Sequence, residues 1–176
     1  MIRTDFGEFP LLQTERILLR PLRQDDDQSI FKLRSDDGVN QWLGRKKAES
    51  IEDANNFIAT ITRLVSAKET LYWVLELKEN GRFAGTIMLW NLDKTTAKGE
   101  LGYELLPEFQ GKGIMQEVLG PVLQFGFTEM GLKRIEACLS PHNDRSLRLL
   151  AKFDFVYEGE LNEDGENLVI YARIKS

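Results

Sequence analysis

The chain has one cysteine, Cys138, and one histidine, His142, in 176 residues. A lone cysteine excludes a disulfide framework within the chain, and its place in an apolar strand pattern predicts a buried, inert thiol. A lone histidine argues against a Ser-His-Asp site and against a His-based metal cluster, so no metal is expected, and His142 itself is expected in an exposed turn. Positive charge is also short: 23 Lys and Arg against 28 Asp and Glu leave a net charge of −5, which argues against a nucleic-acid or anionic-membrane partner. No apolar run approaches the ~20 residues that span a bilayer, and Met1 to Pro10 lacks a signal-peptide core. Repeats, low-complexity tracts and linkers are missing too. These absences predict a cytoplasmic protein, monomer or homodimer, made of a single domain over residues 1–176.

What is present is concentrated between Glu100 and Met130. Leu101, Tyr103 and Leu105 alternate with Glu100, Gly102 and Glu104, a strand period closed by Pro107. Gln110-Gly111-Lys112-Gly113 then leads directly into a helical pattern. Unpaired N–H groups at a helix start, with the helix dipole behind them, form a cradle for phosphate oxygens. Gly111 and Gly113 place no side chain in its way. A ligand-free strand-to-helix turn explains the same residues equally well. The Walker pattern does not fit, because Gly113 follows Lys112 where Ser or Thr is needed, and the dinucleotide fingerprint lacks its third glycine.

Gln110-Gly111-Lys112-Gly113-Ile114-Met115 resembles the Gln/Arg-x-x-Gly-x-Gly/Ala pyrophosphate loop of the GNAT superfamily of acetyl-CoA-dependent N-acetyltransferases. The resemblance extends over nearly the whole chain. Leu12 to Pro21 is similar to the opening strand of the ribosomal-protein N-terminal acetyltransferase branch. Pro141 to Ser146, with Leu149-Leu150 and Phe153-Asp154-Phe155, is similar to that branch's Asn-x-x-Ser…Leu-Gly-Phe segment.

The remaining pattern reads in order. A strand covers Arg16 to Leu22, and a helix runs from Asp25 to Arg34 with acidic residues in its first turn. Ser50-Ile51-Glu52-Asp53 resembles a capping box opening a helix that ends near Ala67. Strands Leu71–Lys78 and Phe83–Trp90 flank a hairpin at Glu79 to Arg82, with Asn-Gly supplying positive φ. The helix after the loop contains Gly120-Pro121, which predicts a kink or break near Glu117, and Gly131 is its C-cap candidate. Lys133–Leu139 is a strand and Asn143–Lys152 a helix. Phe155–Leu161 and Glu166–Arg173 form a last hairpin turned at Asn162 to Gly165. The order β-α-α-β-β-β-α-β-α-β-β predicts an α+β fold, a mixed and mostly antiparallel sheet flanked by helices, which is also the GNAT order.

The resemblance implies direct attack of a neutral amine on the acetyl thioester of acetyl-CoA. It places pantetheine against the backbone near Leu105 and Leu106, and the pyrophosphate on Gln110, Gly111, Lys112, Gly113, Ile114 and Met115. Met115 departs from the family's Gly or Ala. Asn143 reads from the residues alone as an N-cap with Ser146 at the third helical position; the resemblance puts Asn143 on the pantetheine arm and Ser146 near the thiol, with Ser146 or water as the acid. The position of the family's tyrosine acid is Leu150 here, and Asp154 replaces the Leu-Gly-Phe glycine. Glu100 matches the glutamate base of some members, with Glu104 on the same strand face, and both read equally well as hydrated strand residues. Val39 to Leu43 is either packing under a loop or part of the acceptor wall.

The expected acceptor is a primary amine, above all a protein or peptide N-terminal α-amine. Alternatives are a small amine such as a polyamine, amino sugar or amino acid, or a non-catalytic acyl-CoA-binding module on the same fold. Negative charge at Asp25–Asp27, Asp36-Asp37, Glu158, Glu160, Glu163, Asp164 and Glu166 suggests electrostatic attraction of a cationic acceptor.

Overall fold

The computed structural model describes residues 2–163 and 165–176. The chain enters through a two-residue strand, β1 (Leu12–Gln13), and β2 (Ile17–Pro21). A 3-10 turn at Gln24–Asp26 leads to α1 (Asp27–Ser35), the short α2 (Asp37–Asn40) and α3 (Ile51–Ser66). Strands β3 (Leu71–Leu77), β4 (Phe83–Asp93) and β5 (Lys98–Leu105) form a meander. Then come α4 (Ile114–Thr128), β6 (Arg134–Leu139), α5 (Asp144–Lys152), β7 (Val156–Glu163) and β8 (Glu166–Ile174). The expected α+β order is present, with β1 and α2 as short additions.

All eight strands join one sheet in the order β1-β2-β3-β4-β5-β6-β8-β7. Every pairing is antiparallel except β5 with β6. Successive residues of a strand face opposite sides, and β3 shows both sides filled. Tyr72 meets Phe57 of α3, and Trp73 meets Phe125 of α4, each ring pair at 5.9 Å. Trp73 is fully buried, and its indole N–H donates to the Pro10 carbonyl at 2.7 Å, satisfying the polar atom that its burial strands.

Local signals explain most element ends. Ser50 and Asp53 form the capping box of α3, each side chain accepting the other's N–H. At the β3–β4 turn Gly81 has φ 69°, while Asn80 has no positive φ, so the glycine alone makes the reversal. Asp154 takes the left-handed conformation, φ 60°, at the family's glycine position. The acidic first turn expected of α1 is used differently. Asp26 is buried and accepts both arms of the Arg20 guanidinium at 2.7 and 2.9 Å.

Of the kink or break expected near Glu117, the break is corrected: α4 runs without interruption through Pro121. One missing N–H is tolerated because the helix is held along its whole buried side, where Val118, Leu119, Val122 and Leu123 are at most 1% exposed. Gly131, φ 73°, reverses the chain three residues beyond the last helical residue. No helix of the described residues is long and apolar enough to cross a membrane.

Candidate functional site

The sheet opens at its middle. Parallel pairing of β5 with β6 covers only Lys98–Arg134, Gly99–Ile135 and Glu100–Glu136. Beyond that rung the two strands diverge, each continuing to pair on its other side. The Leu106 N–H donates to the Ala84 carbonyl at 2.9 Å, and pairing with β4 continues in unbroken register from Gly85–Leu105 to Trp90–Glu100. Antiparallel alternation therefore turns the backbone groups of Tyr103 and Leu105 away from β4, toward the gap. Gly85 lets the strands close up there, since a Cβ on it would lie 2.1 Å from the Glu104 carbonyl oxygen.

The phosphate loop closes one end of a cavity of about 690 Å³. Gly111 and Gly113 have φ 72° and 75°, and a Cβ on Gly111 would meet nothing within 4 Å. Gly113 is the N-cap of α4 and has no side chain to cap it. The first helical bond is Glu117 N–H to Gly113 carbonyl, and the N–H groups of residues 111–116 meet no acceptor among the described residues. Ile114 and Met115 bury their side chains in the core, so the departure at Met115 leaves its N–H free. Glu117 braces the loop from below. It accepts from Thr14, from the Arg16 N–H at 2.9 Å and from the Arg16 guanidinium at 2.6 Å, while Arg16 also donates to the Lys112 carbonyl at 3.1 Å. Burial works against that carboxylate, but these hydrogen bonds hold its pKa below the ordinary value.

Leu105, Gln110, Gly111, Gly113, Ile114, Met115 and Asn143, the residues from which cofactor contacts are expected, line this cavity together with Ser146, the expected acid. Asn143 caps α5, its Oδ1 accepting the Ser146 N–H at 3.2 Å, so the capping and cavity readings hold together. Lys112 contributes backbone to the loop but no side chain to the cavity wall. Leu106 is corrected: its N–H is committed to Ala84, its carbonyl to the Phe109 N–H, and its side chain is buried. The Leu105 carbonyl is also taken, by the Gln110 amide at 3.0 Å. The exposed His142 sits at the rim, and the buried Val39 lines the same cavity together with Trp42 and Leu43 after α2.

A second cavity, about 480 Å³, lies on the α3 side of the sheet. The two share Tyr103 and Glu104, neighbours on β5 whose side chains point to opposite faces. Burial pushes the Tyr103 phenol above its ordinary pKa, and the Ser146 side chain beside it works in the opposite direction. Glu104 gives both oxygens to Arg45, one at 3.1 Å. Glu100 lines neither cavity. It stands on the last β5–β6 rung, behind Asn91, whose amide donates to it at 3.3 Å and which does line the second cavity. Burial pushes the Glu100 carboxyl up, opposed by Asn91 and reinforced by Glu163 and Glu136.

Tyr103, Arg34 and Arg45 escaped the sequence reading, as did Arg145, Arg148 and Lys152, which line the first cavity from one face of α5. Spacing at i, i+3 and i+7 was the available signal for these last three. Arg145 donates to the Gln110 side-chain oxygen at 2.7 Å. Cys138 is half-buried and lines neither cavity, and burial pushes its thiol up to about 11, as suits an inert cysteine. Among the described residues no cluster of three or more His, Cys, Asp or Glu could hold a metal.

The acetyltransferase (GNAT) domain family matches residues 16–156. The chain belongs to the GNAT acetyltransferases. Its relatives include an uncharacterized N-acetyltransferase of Bacillus subtilis (strain 168), 36% identical over 155 residues, 88% of either chain. The ribosomal-protein-S5-alanine acetyltransferase from Vibrio fischeri shares the fold with a TM-score of 0.79 at 24% identity, covering 94% of this chain and 96% of that one. Spermidine N-acetyltransferase from Vibrio cholerae, solved with CoA and spermine, superposes with a TM-score of 0.80 at 19% identity, over 90% of this chain and 95% of that one. This GNAT protein is an N-acetyltransferase, and acetyl-CoA is its acetyl donor. Free N–H groups at a glycine-lined helix start, next to a gap between strands, fit a pyrophosphate with an extended arm.

Proposed function

We propose that this enzyme acetylates a protein or peptide N-terminal α-amine. The observation that carries the reading is the state of the carboxylates near the junction of the two cavities. Glu104 is held by Arg45, and Glu100 stands one hydrogen bond behind the wall. Such a site is poorly equipped to strip a proton from a strongly basic amine. A lysine amine near pKa ~10.4 costs about 3.5 kcal/mol more to neutralise at pH 7 than an α-amine near ~7.8, at ~1.36 kcal/mol per unit.

In this reading the phosphate loop and the outward backbone of β5 hold acetyl-CoA, which supplies the activated acetyl group. The N–H of Leu105 faces the gap as a donor for the thioester carbonyl oxygen. Asn143 and Ser146 line the arm of the cavity, with the Ser146 hydroxyl beside Tyr103 passing a proton to the leaving thiolate and regaining one from water. The amine enters from the second cavity and meets the acetyl group at Tyr103 and Glu104. Glu100, its carboxyl raised by burial, takes the amine proton through water.

Product mass spectrometry on a panel of peptides with free or blocked N-termini tests the acceptor. Acetylation is expected on α-amines, and modification confined to lysine ε-amines would sink the assignment. Glu100→Gln should lower kcat at neutral pH by on the order of tenfold or more, with part of the rate recovered at higher pH and acetyl-CoA affinity unchanged. An unchanged kcat would remove Glu100 from the mechanism.

A further inference from the structure

The second cavity carries more positive charge than negative. Arg34, Arg45, Lys68 and Lys94 line it, against Glu69 and Glu104. Arg45 is paired with Glu104, and Lys68 with Asp5. Lys94 and Glu69 are exposed at the rim. Arg34 is different. It is half-buried in the last turn of α1, and its guanidinium carbon lies 3.8 Å from the centre of the Phe57 ring. No carboxylate or carbonyl among the described residues accepts from this guanidinium. Glu104, which attracts it, already gives both oxygens to Arg45. Burial and the like charge of Arg45 lower the Arg34 pKa.

A guanidinium half-withdrawn from water and set beside a second one gains from an anion that completes it. Its stacking on Phe57 fixes the plane of the fork, and a fixed fork matches a carboxylate with two parallel hydrogen bonds. The cavity wall otherwise consists of apolar and neutral side chains, among them Ile61, Met88 and Trp90, which leave Arg34 as its one half-buried unpaired charge among the described residues.

We propose that Arg34 anchors a carboxylate of the acceptor, so that the preferred substrate is an α-amine with an acidic group close by. This rests on the reading of the second cavity as the acceptor's seat. The carboxylate has two possible sources of the same chemistry: an Asp or Glu side chain early in a peptide, or the free α-carboxylate of a single amino acid. A polyamine, which brings only positive charge, is disfavoured by the same groups. The acidic runs, from which attraction of a cationic acceptor is expected, stand apart from both cavities. None of their described residues lines either cavity, Asp37 and Glu158 are paired with Lys47 and Arg134, and Asp164 lies outside the described residues.

The test compares initial rates at saturating acetyl-CoA for amidated alanyl-glutamyl, alanyl-glutaminyl and alanyl-lysyl peptides, free glutamate and alanine, their amides, and spermidine. Wild type should favour the glutamyl peptide over its glutaminyl isostere by on the order of tenfold in kcat/KM. A preference for the free amino acids over their amides would instead identify the α-carboxylate as the source. Arg34→Gln should bring the favoured ratio close to one, and Arg34→Lys should keep part of it. Because Arg34 also packs on Phe57, calorimetric binding of the N-acetylated glutamyl and glutaminyl peptides to wild type gives a second readout that needs no variant. Tighter binding of the acidic product is expected. Acetylation of α-amines without any acidic preference in rate or binding overturns the anchor while leaving the α-amine reading intact. A preference that survives Arg34→Gln overturns it as well, and acetylation confined to lysine or spermidine overturns both.

Discussion

The cavity at the phosphate loop is walled at its anionic end by main chain, whereas the cavity across Tyr103 and Glu104 is walled by side chains. In the first, the donors are N–H groups of residues 111–116, fixed by two left-handed glycines and the start of α4. A backbone donor cannot be mutated away, and its dipole favours any phosphate that reaches it. In the second, the half-buried charges belong to Arg34, Arg45 and Glu104, carried by α1, the loop before α3 and β5. One substitution there changes the local charge. The difference suits an enzyme family that keeps one donor and varies its acceptors.

The largest effect should come from placing charge in the backbone-built half. Gly113→Glu puts a carboxylate where the free N–H groups converge and an L side chain at φ 75°. Its Cβ would meet only the end of the Arg16 side chain, at 3.7 Å, so the fold has room for it. Acetyl-CoA affinity should fall by on the order of a hundredfold, from like-charge repulsion in place of dipole attraction. Thermal unfolding with and without acetyl-CoA reads this directly, because a ligand selective for the native state raises Tm. An undiminished rise would separate the loop from the cofactor.

A smaller change should appear in the side-chain-built half and leave the first half alone. Arg45→Gln frees Glu104, converting a neutral pair into a half-buried carboxylate opposite Arg34. The ratio of kcat/KM for acidic over basic acceptors should drop by on the order of tenfold, while acetyl-CoA affinity stays within about twofold. Loss of acetyl-CoA affinity by a similar factor would show that the two cavities are not separable at Glu104.

The same contrast explains which features are legible in the sequence. The loop, the N-cap of α5, the capping box of α3 and the left-handed Asp154 depend on residues within a few positions of one another, so the sequence pattern displays them. Arg34, Arg45 and Glu104 are brought together only by packing of α1 and α3 on the sheet, and no spacing announces that. Leu106 failed for a subtler reason. Strand period shows which side chains share a face, but the pairing alternation with β4 decides whose N–H is free, and that alternation favours Leu105. The uninterrupted α4 likewise reflects packing overriding a local cost at Pro121.

The smallest predicted effect probes the brace beneath the phosphate loop. Glu117 links the first turn of α4 to Thr14 and Arg16, and through Arg16 to the Lys112 carbonyl. Its folded pKa lies below the ordinary value because the hydrogen bonds from Thr14 and Arg16 outweigh burial. A carboxyl depressed in the folded state binds its proton more readily when unfolded. Its stabilisation is therefore fully present above the unfolded value, near ~4.3, and disappears as pH falls through the folded value. Arg16 is 46% exposed, which screens its share, so the brace should contribute only about 1 kcal/mol at neutral pH. Denaturant unfolding of wild type and Glu117→Gln at several pH values isolates it. The two curves should differ by that amount at pH 7 and converge below about pH 4. A difference that persists unchanged into acid would mean that Glu117 acts through packing, and that the loop is held by its own backbone without the brace.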